Sequence, residues 1–161
     1  EIFEQQHPIQ QAMNDLRIPL PRALAVTVEF VYNTDLRQIL ESEELDLKKL
    51  RTKAEEAKAA HVELDRTPLA FVAGLRINKL AASLAKAPQD TILLETIENL
   101  FRIMQRLKVS PDLGKAQNVY FKVGKALYAD MKKKAEAGNE YARKWVGYFN
   151  NIGEFLKVRI S

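Results

Sequence analysis

The amino-acid sequence predicts an all-α fold, a bundle-like domain of six or seven helices. Two observations indicate this fold. Apolar residues recur at intervals of three and four along most of the chain, which is the period of an amphipathic helix. Capping residues and first-turn prolines also interrupt the pattern often, so the connections are short and neighbouring helices are expected to be antiparallel. With 161 residues, 47% of them hydrophobic, the chain can bury the core of one domain.

Prolines interrupt the predicted helical structure in the N-terminal part of the chain. Residues 2–16 contain Pro8, which breaks or starts a helix there, and residues 18–21 form an extended connector with two prolines. A helix over residues 22–40 follows. The acidic stretch 41–45 is the only candidate for an internal boundary, so we expect the whole chain to be a single helical domain.

Caps predict the next three helices. Asp46 is a good N-cap for a third helix. Thr67 followed by Pro68 is a cap with a first-turn proline, which opens a fourth helix that stops before Pro88. Either Asp90 or Thr91 precedes the fifth helix. The fourth helix is expected to bury Leu69, Val72, Leu75, Leu80 and Leu84, and the fifth Leu93, Ile97, Leu100, Met104 and Leu107.

Two further helices and a tail with a different period complete the chain. Ser110 and Pro111 repeat the cap-then-proline signal and open a sixth helix, which Gly138 ends, while Asn139 caps the seventh. Apolar and basic residues then alternate over residues 156–160, which is the pattern of a short C-terminal strand. Such a strand either frays or pairs with something outside this chain, because unpaired backbone groups seek partners. The second reading suggests a fragment of a larger multidomain protein.

Composition excludes several classes of protein. The chain has no cysteine, so it has no disulfide scaffold and no thiol nucleophile, which fits a reducing compartment. No apolar run reaches the length of a membrane span, so we expect no membrane partner. The 25 basic residues exceed the 21 acidic ones by only four, which is mild for a nucleic-acid binder. The clusters Lys132–Lys134 and Arg143–Lys144 support only a weak interaction of that kind.

No pattern of residues predicts catalysis. The two histidines, His7 and His61, do not form a metal-binding motif. Glu95 and Glu98 lie three residues apart on one helix, where exposed helix charges are a simpler reading than the facing pair that glycoside hydrolysis requires. We therefore predict no catalytic residue, no metal site and no cofactor in this chain.

Two groups of residues are candidates for contact with a ligand or another domain. Planar amides at Gln117 and Asn118 stand beside aromatic residues, an arrangement that suits sugar hydroxyls. It equally suits a buried helix whose Gln117 bonds a neighbouring backbone. The segment from Trp145 to Phe149 is the densest aromatic cluster. Its aromatic residues either pack in the core or contact a partner. The candidate residues are Gln117, Asn118, Phe121, Trp145 and Phe149.

Part of the sequence resembles a known family. The segment Ser110–Phe121 contains Ala-Gln-Asn followed by paired aromatic residues, and the segments Ile18–Leu24 and Glu29–Asn33 are similar to its upstream part. This pattern resembles the uncharacterised C-terminal helical domain that follows the catalytic domain in glycoside hydrolase family 57-like proteins. The chain differs in having no aromatic residue beside Gly114 and Lys115.

The resemblance implies a non-catalytic accessory domain of a carbohydrate-active enzyme from the cytoplasm of a bacterium or archaeon. Its partners would be the catalytic domain of the same polypeptide and an oligosaccharide or polysaccharide whose groove it completes. The catalytic carboxylates of that family lie on the separate catalytic domain. One alternative is a stand-alone helical interaction module, which could form a homodimer, and another is a weak nucleic-acid binder.

Overall fold

The computed structural model describes residues 22–160, and all regular secondary structure in this range is helical. The helices are α1 (Arg22–Glu41), α2 (Leu47–Ala59), α3 (Arg66–Lys86), α4 (Thr91–Leu107), α5 (Gly114–Glu136) and α6 (Glu140–Leu156). The all-α prediction is therefore confirmed. The predictions for residues 2–16 and for the connector at 18–21 lie outside the described residues.

The six helices pack as a ladder of three hairpins. Each helix contacts its partner within the hairpins α1–α2, α3–α4 and α5–α6. Helices α1, α3 and α5 form one row, which we call the odd row, and α2, α4 and α6 form the other. The first hairpin does not contact the third. This is the arrangement of an α-solenoid, in which each repeat packs only on its neighbours.

The hairpins end in the same backbone motif. After each helix of the second row, one residue adopts a left-handed conformation with φ between 55° and 58°. The backbone N–H of the valine that follows donates to the carbonyl five residues earlier, at 2.9–3.0 Å. These are Schellman motifs with an apolar residue closing the turn. The left-handed residues are His61, Lys108 and Lys157, and the valines are Val62, Val109 and Val158.

The predicted C-terminal strand is wrong among the described residues. Leu156 is the last residue of α6, Lys157 is the left-handed residue, and Val158 closes the Schellman motif. The same triplet, Leu-Lys-Val, ends α4 at residues 107–109. The alternation that resembles a strand is therefore a helix end with an apolar cap. Beyond it, Ile160 packs against the core.

The N-caps predicted from sequence are correct where the side chain of the cap residue accepts a hydrogen bond from a backbone N–H of the first helical turn. Asp46, Asp90 and Asn139 each accept from a backbone N–H in the first turn. The predicted cap at Thr67 is wrong, because α3 already begins at Arg66. The cap at Ser110 is also wrong.

The α4–α5 connection explains why the helix does not begin after Ser110. Val109 is buried by the end of α4, and Pro111 packs close to Gly74 of α3. Helix α5 begins only at Gly114, whose N–H donates to the Asp112 carboxylate at 3.0 Å. Tertiary packing of the loop on α3 thus moves the helix start by a few residues.

The buried face of α3 differs from its prediction at one position. Leu69, Val72 and Leu84 are buried as expected, but Leu75 is 49% exposed. Ala73 and Ile77 occupy the buried side instead. Leu75 therefore shares the outer side of α3 with Phe71, four residues before it.

Replacing Lys108 by Gly should stabilise the fold by about 0.5–1 kcal/mol. A left-handed conformation costs a non-glycine residue about 1–2 kcal/mol, and the extra freedom of glycine in the unfolded chain offsets only about half of that. The measurement is urea unfolding followed by far-UV circular dichroism. Lys122→Gly in the middle of α5 is the matched control and should destabilise by about 1 kcal/mol. Destabilisation by both substitutions would contradict the assigned motif.

Candidate functional site

Three aromatic rings stack at the α5–α6 interface. The ring of Phe149 lies between those of Tyr120 and Trp145, with centroid distances of 4.0 Å and 4.6 Å and interplanar angles of 8° and 10°. The ring of Tyr128 packs against Phe149 at 5.8 Å in a tilted orientation. The contacts of Phe149 with Trp145 and Tyr128 lie within the range of about 4.5–7 Å that aromatic pairs favour, where a pair contributes about 0.5–1.5 kcal/mol beyond the area that it buries.

The polar atoms of the stack are bonded to backbone carbonyls. The Tyr120 hydroxyl donates to the carbonyl of Phe149 at 2.8 Å. The indole N–H of Trp145 donates to the carbonyl of Pro88 at 2.8 Å, which ties α6 to the turn between α3 and α4. Each ring can therefore be buried without leaving an unsatisfied donor.

Two glycines make room around the stack. A Cβ atom on Gly124 would lie 3.0 Å from Cζ of Phe149 and 2.6 Å from Cγ1 of Ile160. A Cβ atom on Gly153 would overlap the Tyr120 hydroxyl. Both positions lie inside helices, where glycine costs up to about 1 kcal/mol relative to alanine. The close approach of the rings and the tail accounts for that cost.

Two of the candidate residues belong to the stack. Trp145 and Phe149 are both fully buried. Both therefore pack in the core, which is one of the two interpretations of the Trp145–Phe149 segment. Phe149, Ile152 and Leu156 continue the buried stripe from Trp145 at helical spacing, and Tyr148 lies at its margin.

The amide of Gln117 joins α5 to the end of α6. Its Nε2 donates to the carbonyl of Leu156 at 2.7 Å, and so satisfies a carbonyl at the helix C-terminus. This is the backbone bond that the structural reading of Gln117 requires. Asn118 and Phe121 are exposed on α5, where Lys125 lies over the Phe121 ring at 5.3 Å. The structure thus separates these two residues from the buried stack.

A groove of about 590 Å³ opens where α4, α5 and α6 meet. Its lining combines aromatic rings, amides and charged groups, and the tilted pair Phe101 and Phe155 forms part of it. Other lining residues are Arg102, Gln105, Gln117, Asn151, Glu154 and Lys157. The volume is typical of a small-molecule site. Of the predicted candidates, only Gln117 lines this groove.

Several polar groups in the groove are already bonded to one another. The buried carboxylate of Glu98 accepts from Arg102 Nε at 2.8 Å and from Asn151 Nδ2 at 3.0 Å. Nearby, the Tyr148 hydroxyl donates to the Glu95 carboxylate, and this bond raises the pKa of Tyr148 above its usual value. Both carboxylates therefore stabilise the contact between α4 and α6, which is a structural role. Sequence reasoning missed this role because it depends on residues more than fifty positions away.

Other kinds of site are not formed by the described residues. Within 22–160, no three His, Asp or Glu side chains are grouped so that they could hold a metal ion, and His61 is exposed. No helix in the same range is long and apolar enough to cross a bilayer. His7 lies outside the described residues.

Comparison with known proteins adds no relative. No protein-family model, no curated protein and no solved structure matches this chain.

Gln117→Ala should destabilise the fold by about 1 kcal/mol, because the last carbonyl of α6 loses its side-chain donor. Asn118→Ala is the matched control. It truncates the neighbouring exposed amide and should change the free energy of unfolding by less than about 0.5 kcal/mol. Urea unfolding of both variants measures the difference. Equal effects would show that the Gln117 bond does not contribute.

Tyrosine ionisation should destabilise the protein above pH 10. Burial raises the pKa of Tyr120, and burial together with Glu56 and Asp35 raises that of Tyr32 to about 12. The folded state keeps protons that the unfolded state loses above pH 10. The free energy of unfolding is therefore independent of these groups below pH 10 and decreases above it, by up to about 1.4 kcal/mol per pH unit and tyrosine.

Urea unfolding between pH 8 and pH 11.5 measures this slope. Tyr120→Phe should reduce the dependence of the free energy of unfolding on pH above pH 10. The dependence that remains comes from Tyr32, and Tyr32→Phe should remove it. A slope that neither substitution changes would contradict the assignment.

Proposed function

We propose that this chain is a non-catalytic accessory domain of a glycoside hydrolase family 57-like enzyme. It packs on the catalytic domain of the same polypeptide and extends the surface that holds an oligosaccharide or polysaccharide. The proposal places the protein in the cytoplasm of a bacterium or archaeon. It rests on the resemblance of the segments described above and on the surface that the odd row presents.

The observation that carries the proposal is the apolar surface of the odd row. Five of the seven exposed large apolar side chains of the described residues lie on α1, α3 and α5. Two pairs have i,i+4 spacing and therefore share a helix face, and their members are 49–69% exposed. Exposed apolar residues on adjacent helices are a feature of interaction sites. The five residues are Val26, Phe30, Phe71, Leu75 and Phe121.

The ladder architecture supports a binding role. Stacked helical hairpins present extended rows of helices, and α-solenoids commonly use such surfaces to hold a partner. Helices α1 and α3 contact each other, as do α3 and α5, so the exposed apolar residues lie on neighbouring elements. A catalytic domain with an apolar surface of its own would cover them.

The residues of the resembling segment have structural roles that fit an accessory domain. Ala116 and Tyr120 are buried, and Gln117 bonds the end of α6. This segment thus holds the third hairpin together without supplying a reacting group. The carboxylates of Glu95 and Glu98 are engaged in contacts between α4 and α6. In the proposal, catalysis therefore belongs to the other domain.

The groove between α4, α5 and α6 is the surface assigned to the polysaccharide. Aromatic faces with amide and charged groups at their edges suit a sugar, which has an apolar face and a ring of hydroxyls. Phe155, Gln105 and Glu154 supply these three kinds of group.

The test begins with the source gene. The proposal expects an in-frame family 57-type catalytic domain upstream of this segment. That domain, produced separately, should bind the 161-residue chain in sedimentation velocity experiments. A reading frame without a catalytic domain would overturn the proposal and leave the stand-alone interaction module.

The double substitution Phe30→Ser and Phe71→Ser should weaken this association by more than about tenfold, because large apolar residues at the centre of an interface dominate its affinity. Ile92→Ser is the control. Ile92 is 78% exposed but lies at the start of α4, outside the odd row. Equal affinities of the double variant and the control would contradict the assigned surface.

A further inference from the structure

A second groove, of about 520 Å³, lies between the end of α1, the middle of α3 and the start of α5. Its apolar lining comes from Leu40, Val72, Leu75 and Ala82. Its basic groups are Arg76, Lys79 and Lys115, and its acidic group is Glu41. Leu75 belongs to the exposed odd-row surface as well, so the groove borders that surface.

Arg76 is a buried cation without an acidic partner. Its side chain is only 7% exposed, and it forms no ion pair with any residue in the range 22–160. Its guanidinium donates to the carbonyls of Leu40 and Glu43, at 3.0 Å and 3.4 Å, near the C-terminus of α1. These two bonds use two of its five N–H donors. Buried charges in proteins are ordinarily paired with an opposite charge, so this site lacks a counter-ion.

The surroundings of Arg76 add positive charge. Lys79 and Lys115 are exposed at the same groove and form no ion pair within the described part of the chain. The one carboxylate in the lining, Glu41, lies 3.7 Å from Arg37 on its own helix. Three cations therefore share a groove whose only anion has a partner elsewhere.

The groove between α4, α5 and α6 provides a contrast. Its arginine, Arg102, is paired with Glu98 at 2.8 Å. In that groove the arginine therefore has its counter-ion within the chain, unlike Arg76.

We propose that the groove at Arg76, Lys79 and Lys115 is an anion-binding site for the carboxylate or phosphate group of a small ligand. The guanidinium supplies a fork of donors with fixed geometry, which suits either group. The lysines add charge at the rim, and the apolar lining accommodates the body of the ligand. The groove has the volume of a typical small-molecule site. This proposal does not depend on the proposed function.

The experiment follows the Nε–Hε signal of Arg76 in ¹H–¹⁵N spectra of the 161-residue chain. Inorganic phosphate, acetate and citrate are titrated separately at constant ionic strength. The proposal expects a saturable shift of this signal with at least one of the three anions. Tighter binding of phosphate identifies a phosphate site, and tighter binding of acetate or citrate identifies a carboxylate site.

The double substitution Lys79→Gln and Lys115→Gln should raise the dissociation constant by about tenfold, because charge-assisted contacts are lost. Both side chains are exposed, so this variant is expected to fold. The control, Lys132→Gln with Lys133→Gln, removes the same charge at the far end of α5 and should bind as the unaltered chain does. A shift that does not saturate with any anion, or equal dissociation constants for the two double variants, would overturn the proposal.

Discussion

The stack of Tyr120, Phe149 and Trp145 is the contact on which the third hairpin depends. It requires flat rings to approach within 4.0–4.6 Å, and this leaves no space for side chains at Gly124 and Gly153. The indole bond to the carbonyl of Pro88 extends the constraint to the turn before α4. One cluster thus fixes α6 against α5 and against the preceding hairpin. The densest aromatic segment of the sequence is therefore used for packing.

The same helix-end motif recurs in all three hairpins. Each hairpin ends in a left-handed residue followed by valine, and successive valines are 47 and 49 residues apart. Because the same end recurs, each hairpin turns back at an equivalent point and packs beside the previous one. The result is two rows of helices with few contacts between distant parts of the chain. Extended rows of helices are the surfaces that α-solenoids commonly use for binding.

Local signals in the sequence predicted the helices well. The period of the apolar residues identified all six, and caps such as Asp46, Asp90 and Asn139 are correct because their bonds lie within one turn. One error comes from a distant contact, because Pro111 packs against α3 and delays the start of α5. The predicted strand is a local error, because Val158 closes the end of α6 in a sequence pattern that resembles a strand. The repeat of three hairpins was not predicted from the sequence, because only the few residues of the helix-end motif are shared between hairpins. The bond between Glu98 and Asn151, and the absence of an acidic partner for Arg76 among residues 22–160, depend on the packing of separate helices.

The aromatic stack is enclosed within the third hairpin, so the indole of Trp145 should be shielded from solvent. Trp145 is the only tryptophan of the chain, so its fluorescence reports on the stack without interference from another indole. The most direct measurement is acrylamide quenching of this fluorescence in the native protein and in urea. An enclosed indole should give a blue-shifted native emission, with a quenching constant several-fold below that of the unfolded chain. Native quenching equal to that in urea would show an accessible indole and rule out an enclosed stack.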